Sequence, residues 1–134
     1  MGIMAYLKPP AFVAMVFNPL AMKFGIGGAE TLTVKGRSTG KTQSIPVIPI
    51  DVDSTKYVVS TRGEAQWVLN LRAAETLQIH SKGKTANYRA TEVPVSERDQ
   101  ILAAYRHKAG KTVESYWKSL PDAKDHPAFR LDPL

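Results

Sequence analysis

Residues 31–72 read TLTVKGRSTGKTQSIPVIPIDVDSTKYVVSTRGEAQWVLNLR, and this stretch decides the fold. Thr31 to Lys35 alternates apolar and polar side chains as a half-buried strand does, and Gly36 to Gly40 supplies the turn that reverses it. Ser44 to Val52 reads as a long second strand carrying Pro46 and Pro49. A proline cannot donate to a sheet ladder, so two of them imply an edge, a bulge or a bend, the opening of a curved sheet or barrel. Asp53 to Thr55 has turn chemistry, and Lys56 to Thr61 is a compact third strand with Tyr57, Val58 and Val59. From Ala65 to Ala74 the period changes: Trp67, Val68, Leu71 and Ala74 recur at helical spacing, which predicts a short helix laid on the sheet.

Working outward, Leu77 to Ser81 and Thr85 to Val93 predict a hairpin over Lys82 and Gly83. Ser96 to Asp99 predicts a helix start with Ser96 as cap, followed by Ile101, Leu102, Ala104 and Tyr105 and closed by Gly110. A second helical segment carries Val113, Tyr116, Trp117 and Leu120 up to Pro121, and Phe129 to Leu131 reads as a last edge strand. On the N-terminal side, residues 1–28 read as two short apolar helices broken at Asn18 and Pro19, with a loop from Gly25 to Gly28. They are too short and broken for a spanning helix, and the expected role is a lid on the core, the alternative being an interfacial helix touching lipid. The fold class expected is α+β, mainly β, with about six antiparallel strands and flanking helices at 96–120 in one domain over 1–134.

The length of 134 residues suits one core and one site. With no cysteine, disulfides, thiolate metal sites and cysteine nucleophiles are excluded, which fits a cytoplasmic setting. The net charge of +6 favours an anionic partner. It is unevenly placed: Glu30 is the only acid in residues 1–50, against Lys8, Lys23, Lys35, Arg37 and Lys41.

Gly36-Arg37-Ser38-Thr39-Gly40-Lys41-Thr42 invites a phosphate-loop reading. Its spacing is one residue short of GxxxxGK[ST], and a proline-bearing strand follows where a helix should, so nucleotide hydrolysis is rejected. A turn with backbone N–H groups, hydroxyls and two cations still suits an anion, though a solvated basic hairpin turn would look the same. Thr61-Arg62-Gly63 places another cation after a hydroxyl residue at the end of a strand. Trp67 and Asn70 share a helix face, where an indole could cover a ring; plain core packing of Trp67 is the alternative. His80, His107 and His126 have no ligand spacing, read as surface or turn residues, and predict no metal site. No nucleophile elbow or carboxylate pair is evident. No stacking motif or recognition helix supports nucleic-acid binding.

Read together, GRSTGKTQSIPV, the strand ending STRG, and WVLNLRA before a hairpin resemble the split β-barrel deazaflavin-dependent reductases of actinobacteria, relatives of the FMN-binding pyridoxamine phosphate oxidase fold. The family pattern is close to TTxGRKSGxPRxxPL, a strand ending S-K/N-G-G, then WxxNLxANP, and the resemblance runs from Glu30 to Val93. It implies a split β-barrel and an oxidoreductase, of the nitroreductase and quinone reductase kind, that takes hydride from reduced coenzyme F420, with FMN as the alternative cofactor. By the same resemblance Arg37, Ser38, Thr39, Gly40 and Lys41 form the phosphate turn, Pro46 and Val47 the strand beside the ring, Thr61, Arg62 and Gly63 a second anion loop, and Trp67 and Asn70 the helix. Tyr105 and Tyr116 are candidate substrate-side residues. The chain departs from the pattern at Ser38, where the family has lysine, at Gln43, where it has arginine, and in a shorter loop between Gly63 and Trp67. The acceptor implied is a hydrophobic, electron-poor small molecule such as a quinone, an enone, an unsaturated lipid or a nitro compound. Pairing as a homodimer and peripheral membrane contact through the N-terminal segment are also expected. The alternative is a lipid- or fatty-acid-binding split barrel that has lost the deazaflavin.

Overall fold

The computed structural model describes residues 29–134. The expected helices of residues 1–28, and any lipid contact through them, lie outside the described residues.

The alternating runs become strands β1 (Glu30–Lys35), β2 (Thr42–Val47), β3 (Ile50–Val52) and β4 (Thr55–Val59), then helix α1 (Gln66–Ala74), and the hairpin β5 (Thr76–Ser81) and β6 (Lys84–Glu92). Helices α2 (Asp99–Ala109) and α3 (Glu114–Ser119) follow, and strand β7 (Ala128–Pro133) ends the chain. The strands form one sheet in the order β2-β1-β5-β6-β7-β4-β3, every neighbouring pair antiparallel. Strands β2 and β3 stand at opposite ends of this order, yet only Ile48 and Pro49 separate them in the chain. Three Cα–Cα steps reach roughly 11 Å at most. The two sheet edges are therefore drawn together at this corner, and the sheet curls into a split barrel.

The prolines shape this edge, and among the described residues two strands, β2 and β3, stand where one was expected over Ser44 to Val52. Pro46 pairs with Thr31 on an edge strand, where a missing N–H is tolerated, whereas Pro49 stands in the break between β2 and β3. The Lys108 ammonium, on α2, donates to the Pro49 carbonyl at 2.5 Å and fastens the corner from outside. Strand β7 is not an edge strand as expected. It lies between β6 and β4, with Val58 opposite Phe129 and Ala90 opposite Leu131.

Successive strand residues face opposite sides of a sheet, and this divides the core in two. Val58, Phe129 and Leu131 join Leu32, Val34, Leu77 and Ile79 inside the curl, where Trp67, Val68 and Leu71 of α1 plug it. Their neighbours Val59 and Ala128 face outward, under Ile101, Leu102 and Tyr105 of α2 and Trp117 of α3. Full burial of side chains such as Phe129 and Leu71 stabilises the fold by about 1.5–3 kcal/mol each.

Helix α2 starts at Asp99, two residues later than a cap at Ser96 predicts, because Val95–Glu97 forms a separate 3₁₀ turn after Pro94 and no side chain caps α2. Arg98 at that junction is buried. Its Nε donates to the Val93 carbonyl, Nη1 to that of Ala123, and Nη2 to Glu92 at 3.1 Å. Burial lowers the Arg98 pKa, and the charge on Glu92 opposes that shift.

Candidate active site

The turn between β1 and β2 is closed by its own backbone: the Gly36 N–H donates to the Lys41 carbonyl at 2.8 Å and the Gly40 N–H to that of Gly36 at 3.2 Å. A Cβ on Gly36 would stand 2.7 Å from the Lys41 carbonyl oxygen, so no other residue fits there without opening the turn. Thr39 steadies the turn from within, its hydroxyl accepting the Lys41 N–H.

Helix α1 holds this turn in place. The Asn70 Oδ1 accepts both the Arg37 backbone N–H at 3.1 Å and its Nη1 at 2.7 Å, while the Gln66 Oε1 accepts Nη2 at 2.9 Å. The Asn70 amide in turn donates to Gln43 Oε1 at 2.7 Å. Only 7% of Asn70 is exposed, so its amide is committed to fixing the turn on the helix. Two of the five guanidinium N–H groups of Arg37 are engaged this way. Gln43 thus serves Asn70 as a neutral acceptor.

Between the turn and α1 opens a cavity of about 290 Å³, lined by Gly36, Arg37, Ser38, Thr39, Lys41, Thr42, Gln43, Gln66 and Asn70. Beside it a narrower crevice of about 60 Å³ runs between β2 and the end of β4, lined by Ile45, Pro46, Val47, Val59, Ser60, Thr61, Arg62, Trp67 and Tyr105. The two take different residues from the same two elements: Gln43, Ile45 and Val47 alternate along one face of β2, and Gln66, Trp67 and Asn70 follow one side of α1. Trp67 is itself buried and packs on Phe129, with ring centroids 6.1 Å apart. It is thus both core and crevice wall, which the two readings from sequence had set as alternatives.

The short loop after β4 is tied down tightly. The Ser60 hydroxyl donates to the Gly63 carbonyl at 2.6 Å, and that carbonyl also accepts the Ala65 N–H at 2.8 Å. Glu64 is held by Arg72, which also grips Glu92, and these two carboxylates, Glu92 foremost, raise the Arg72 pKa and keep it charged.

The structure therefore gathers Arg37, Ser38, Thr39 and Lys41 with Asn70 around one cavity, and Pro46, Val47, Thr61, Arg62 and Trp67 around the other. Gly40 and Gly63 shape the loops and line neither. Tyr105 lines the crevice, whereas Tyr116 packs against the outer apolar cluster. Burial, and secondarily the neighbouring Tyr116, pushes the Tyr105 phenol up to about 12, so it stays a neutral donor. Gln66, Ile45 and Ser60 were not singled out from sequence. The spacing of Gln66 four residues before Asn70, and of Ile45 between Gln43 and Val47, is the signal that points to two of them. Among the described residues no group of three His, Asp or Glu side chains could hold a metal ion. Nor is any helix among them long and apolar enough to cross a membrane.

A family model described as F420H(2)-dependent quinone reductase matches residues 20–119. The chain belongs to the F420H2-dependent quinone reductase family. It is accordingly an F420-dependent oxidoreductase. A search of the curated proteins finds no match. Among solved structures, one described as an F420-H2 dependent reductase (FDR-A) is similar at 19% identity, covering 78% of this chain and 94% of that one with a TM-score of 0.60. A domain-swapped dimer is similar at 18% identity, 78% and 80% coverage and a TM-score of 0.60. HutZ, a heme storage protein from Vibrio cholerae, follows at 16% identity, 81% and 83% coverage and a TM-score of 0.58. At these identities the likenesses show the split-barrel fold, while the family model carries the reductase family.

Proposed function

We propose that this quinone reductase family member binds coenzyme F420 along the two adjoining cavities and reduces a hydrophobic, electron-poor acceptor such as a quinone, an enone, an unsaturated lipid or a nitro compound. The observation that carries this reading is that a basic, donor-lined cavity and a crevice walled by Pro46, Val47 and Trp67 both draw their walls from β2 and α1.

The residues fit the phosphate end of such a cofactor. Arg37 and Lys41 supply charge, Ser38, Thr39 and Thr42 supply hydroxyls, and Asn70 and Gln66 hold the guanidinium in orientation before any ligand arrives. At about 60 Å³ the crevice accepts only the edge of a planar ring, between Pro46 and Trp67. A bound reduced deazaflavin supplies the hydride. The protein's part is orientation and exclusion of water: Val47, Ile45 and Trp67 give the crevice apolar walls, and the neutral Tyr105 hydroxyl offers a proton or a hydrogen bond at its phenolic oxygen. That division of labour matches the lack of an acid–base pair among the residues singled out from sequence.

Titration of the protein with the reduced cofactor, followed by fluorescence, is the direct test. Saturable binding at micromolar concentrations that weakens in R37A is expected. No saturable binding would overturn the reading in favour of a lipid-binding barrel. Catalysis is then read as cofactor oxidation with a short-chain quinone. Pairing into a homodimer, the state in which one similar structure is described, is part of the proposal. Sedimentation at several concentrations checks it.

A further inference from the structure

His126, expected at the surface or in a turn, follows the 3₁₀ turn Ala123–Asp125 and is fully buried. Its Nδ1 lies 3.0 Å from the Ser60 carbonyl oxygen, and its Nε2 lies 2.6 Å from that of Leu120. A carbonyl oxygen can only accept, and a neutral imidazole has a single N–H to give. With either nitrogen bare, a lone pair would face an oxygen in a site shielded from water. The ring also lies flat on Trp117, centroids 3.9 Å apart and planes 9° from parallel, where the indole face favours a cation.

We propose that His126 carries a proton on both ring nitrogens and, as an imidazolium, acts as a positioning residue for the Ser60–Gly63 wall of the crevice. The link is short and continuous. Beyond accepting from His126, Ser60 donates its N–H to the Pro127 carbonyl at 2.8 Å and its hydroxyl to the Gly63 carbonyl, which accepts from Ala65 one residue before α1. Thr61 and Arg62, the crevice residues of this loop, lie inside that span.

The charged and titratable groups nearby leave room for this charge. Arg106, on α2, lies 5.1 Å from the Trp117 ring but is gripped by Glu114. Arg98 holds the Ala123 and Lys124 carbonyls of the same loop and is paired with Glu92. Tyr105, 6.0 Å from Trp117, is kept neutral by burial. The partners of the imidazolium are two carbonyl dipoles.

The effect on the crevice rests on the functional reading above, whereas the charge state stands without it, and neither measurement below uses cofactor. In an H80Q/H107Q chain His126 is the one remaining imidazole; His107 is exposed and His80 half-buried, so the fold should persist. Nitrogen-15 NMR of this chain at neutral pH should show two ring N–H groups. A single N–H beside an unprotonated ring nitrogen would overturn the proposal. On raising the pH until the second N–H signal disappears, amide exchange at Ala65, relative to that at Ile79 in the core, should quicken about tenfold as the tether to Ser60 is lost. A constant ratio through that change would refute the positioning role, in the unsubstituted chain as well as in the double variant.

Discussion

At the scale of single residues, Asn70 bears most of the site's order. It is nearly buried, accepts twice from Arg37 and donates to Gln43, so truncation leaves several polar groups without partners at once. N70A should therefore lower stability by about 1–3 kcal/mol, read as a shifted urea midpoint at unchanged slope, and weaken anion binding in step. Tyr105 gives a second prediction. Its folded pKa of about 12 lies above the ordinary tyrosine value of 10.0, so above pH 10 the unfolded chain releases the proton first. The tyrosine's contribution is full below the unfolded value and is lost as pH climbs from 10 toward 12. About 2–3 kcal/mol should disappear over that window, and Y105F should flatten the fall in a pH series of unfolding curves. Arg37, Lys41, Trp67 and Asn70 could be singled out in the sequence because a glycine-flanked basic turn and a Trp-xx-Asn helix face are local patterns, and the structure places them on the turn and helix that line the two cavities. What they do to one another could not be read there. Arg37 and Asn70 are 33 positions apart, and nothing local says that the amide holds the guanidinium. The burial of His126 was not legible for the same reason: its partners Ser60 and Leu120 and its stacking on Trp117 come from separate elements.

At the scale of elements, the hairpin β5–β6 turns on Lys82 and Gly83, both with positive φ, the tight turn that matches strand twist. Lys82 adopts φ 52°, where a lysine side chain is strained and an asparagine is not. K82N should stabilise the protein by about 0.5–1 kcal/mol, visible as a higher thermal midpoint with the site untouched. This hairpin, the first strand and α1 were readable because their periods of 2 and 3.6 are carried by large apolar side chains. The element boundaries that went astray have physical causes. Pro49 splits a strand that alternation alone would have continued, and Ser96 sits in a 3₁₀ turn where its hydroxyl caps nothing because buried Arg98, tied to Val93 and Ala123, sets where α2 begins.

At the scale of the molecule, the last strand is the keystone. Pairings on both sides of β7 join β2-β1-β5-β6 to β4-β3, and without it the sheet falls into two pieces, neither of which closes a core. Deleting residues 128–134 should abolish cooperative unfolding outright, with loss of the near-ultraviolet signal of Trp67 and Trp117. Strand order was the least legible feature in the sequence, since a strand's neighbours are fixed by partners far along the chain and by side chains that reveal burial but not adjacency. The two-residue joint at Ile48 and Pro49 has a consequence of another kind. The crevice opens between β2 and the end of β4, on the seam where the sheet fails to meet itself, and the joint is the hem that sets how far that seam can part. Evolution, or an engineer, could widen the opening by letting out one residue at this hem, without recutting any side chain that lines it.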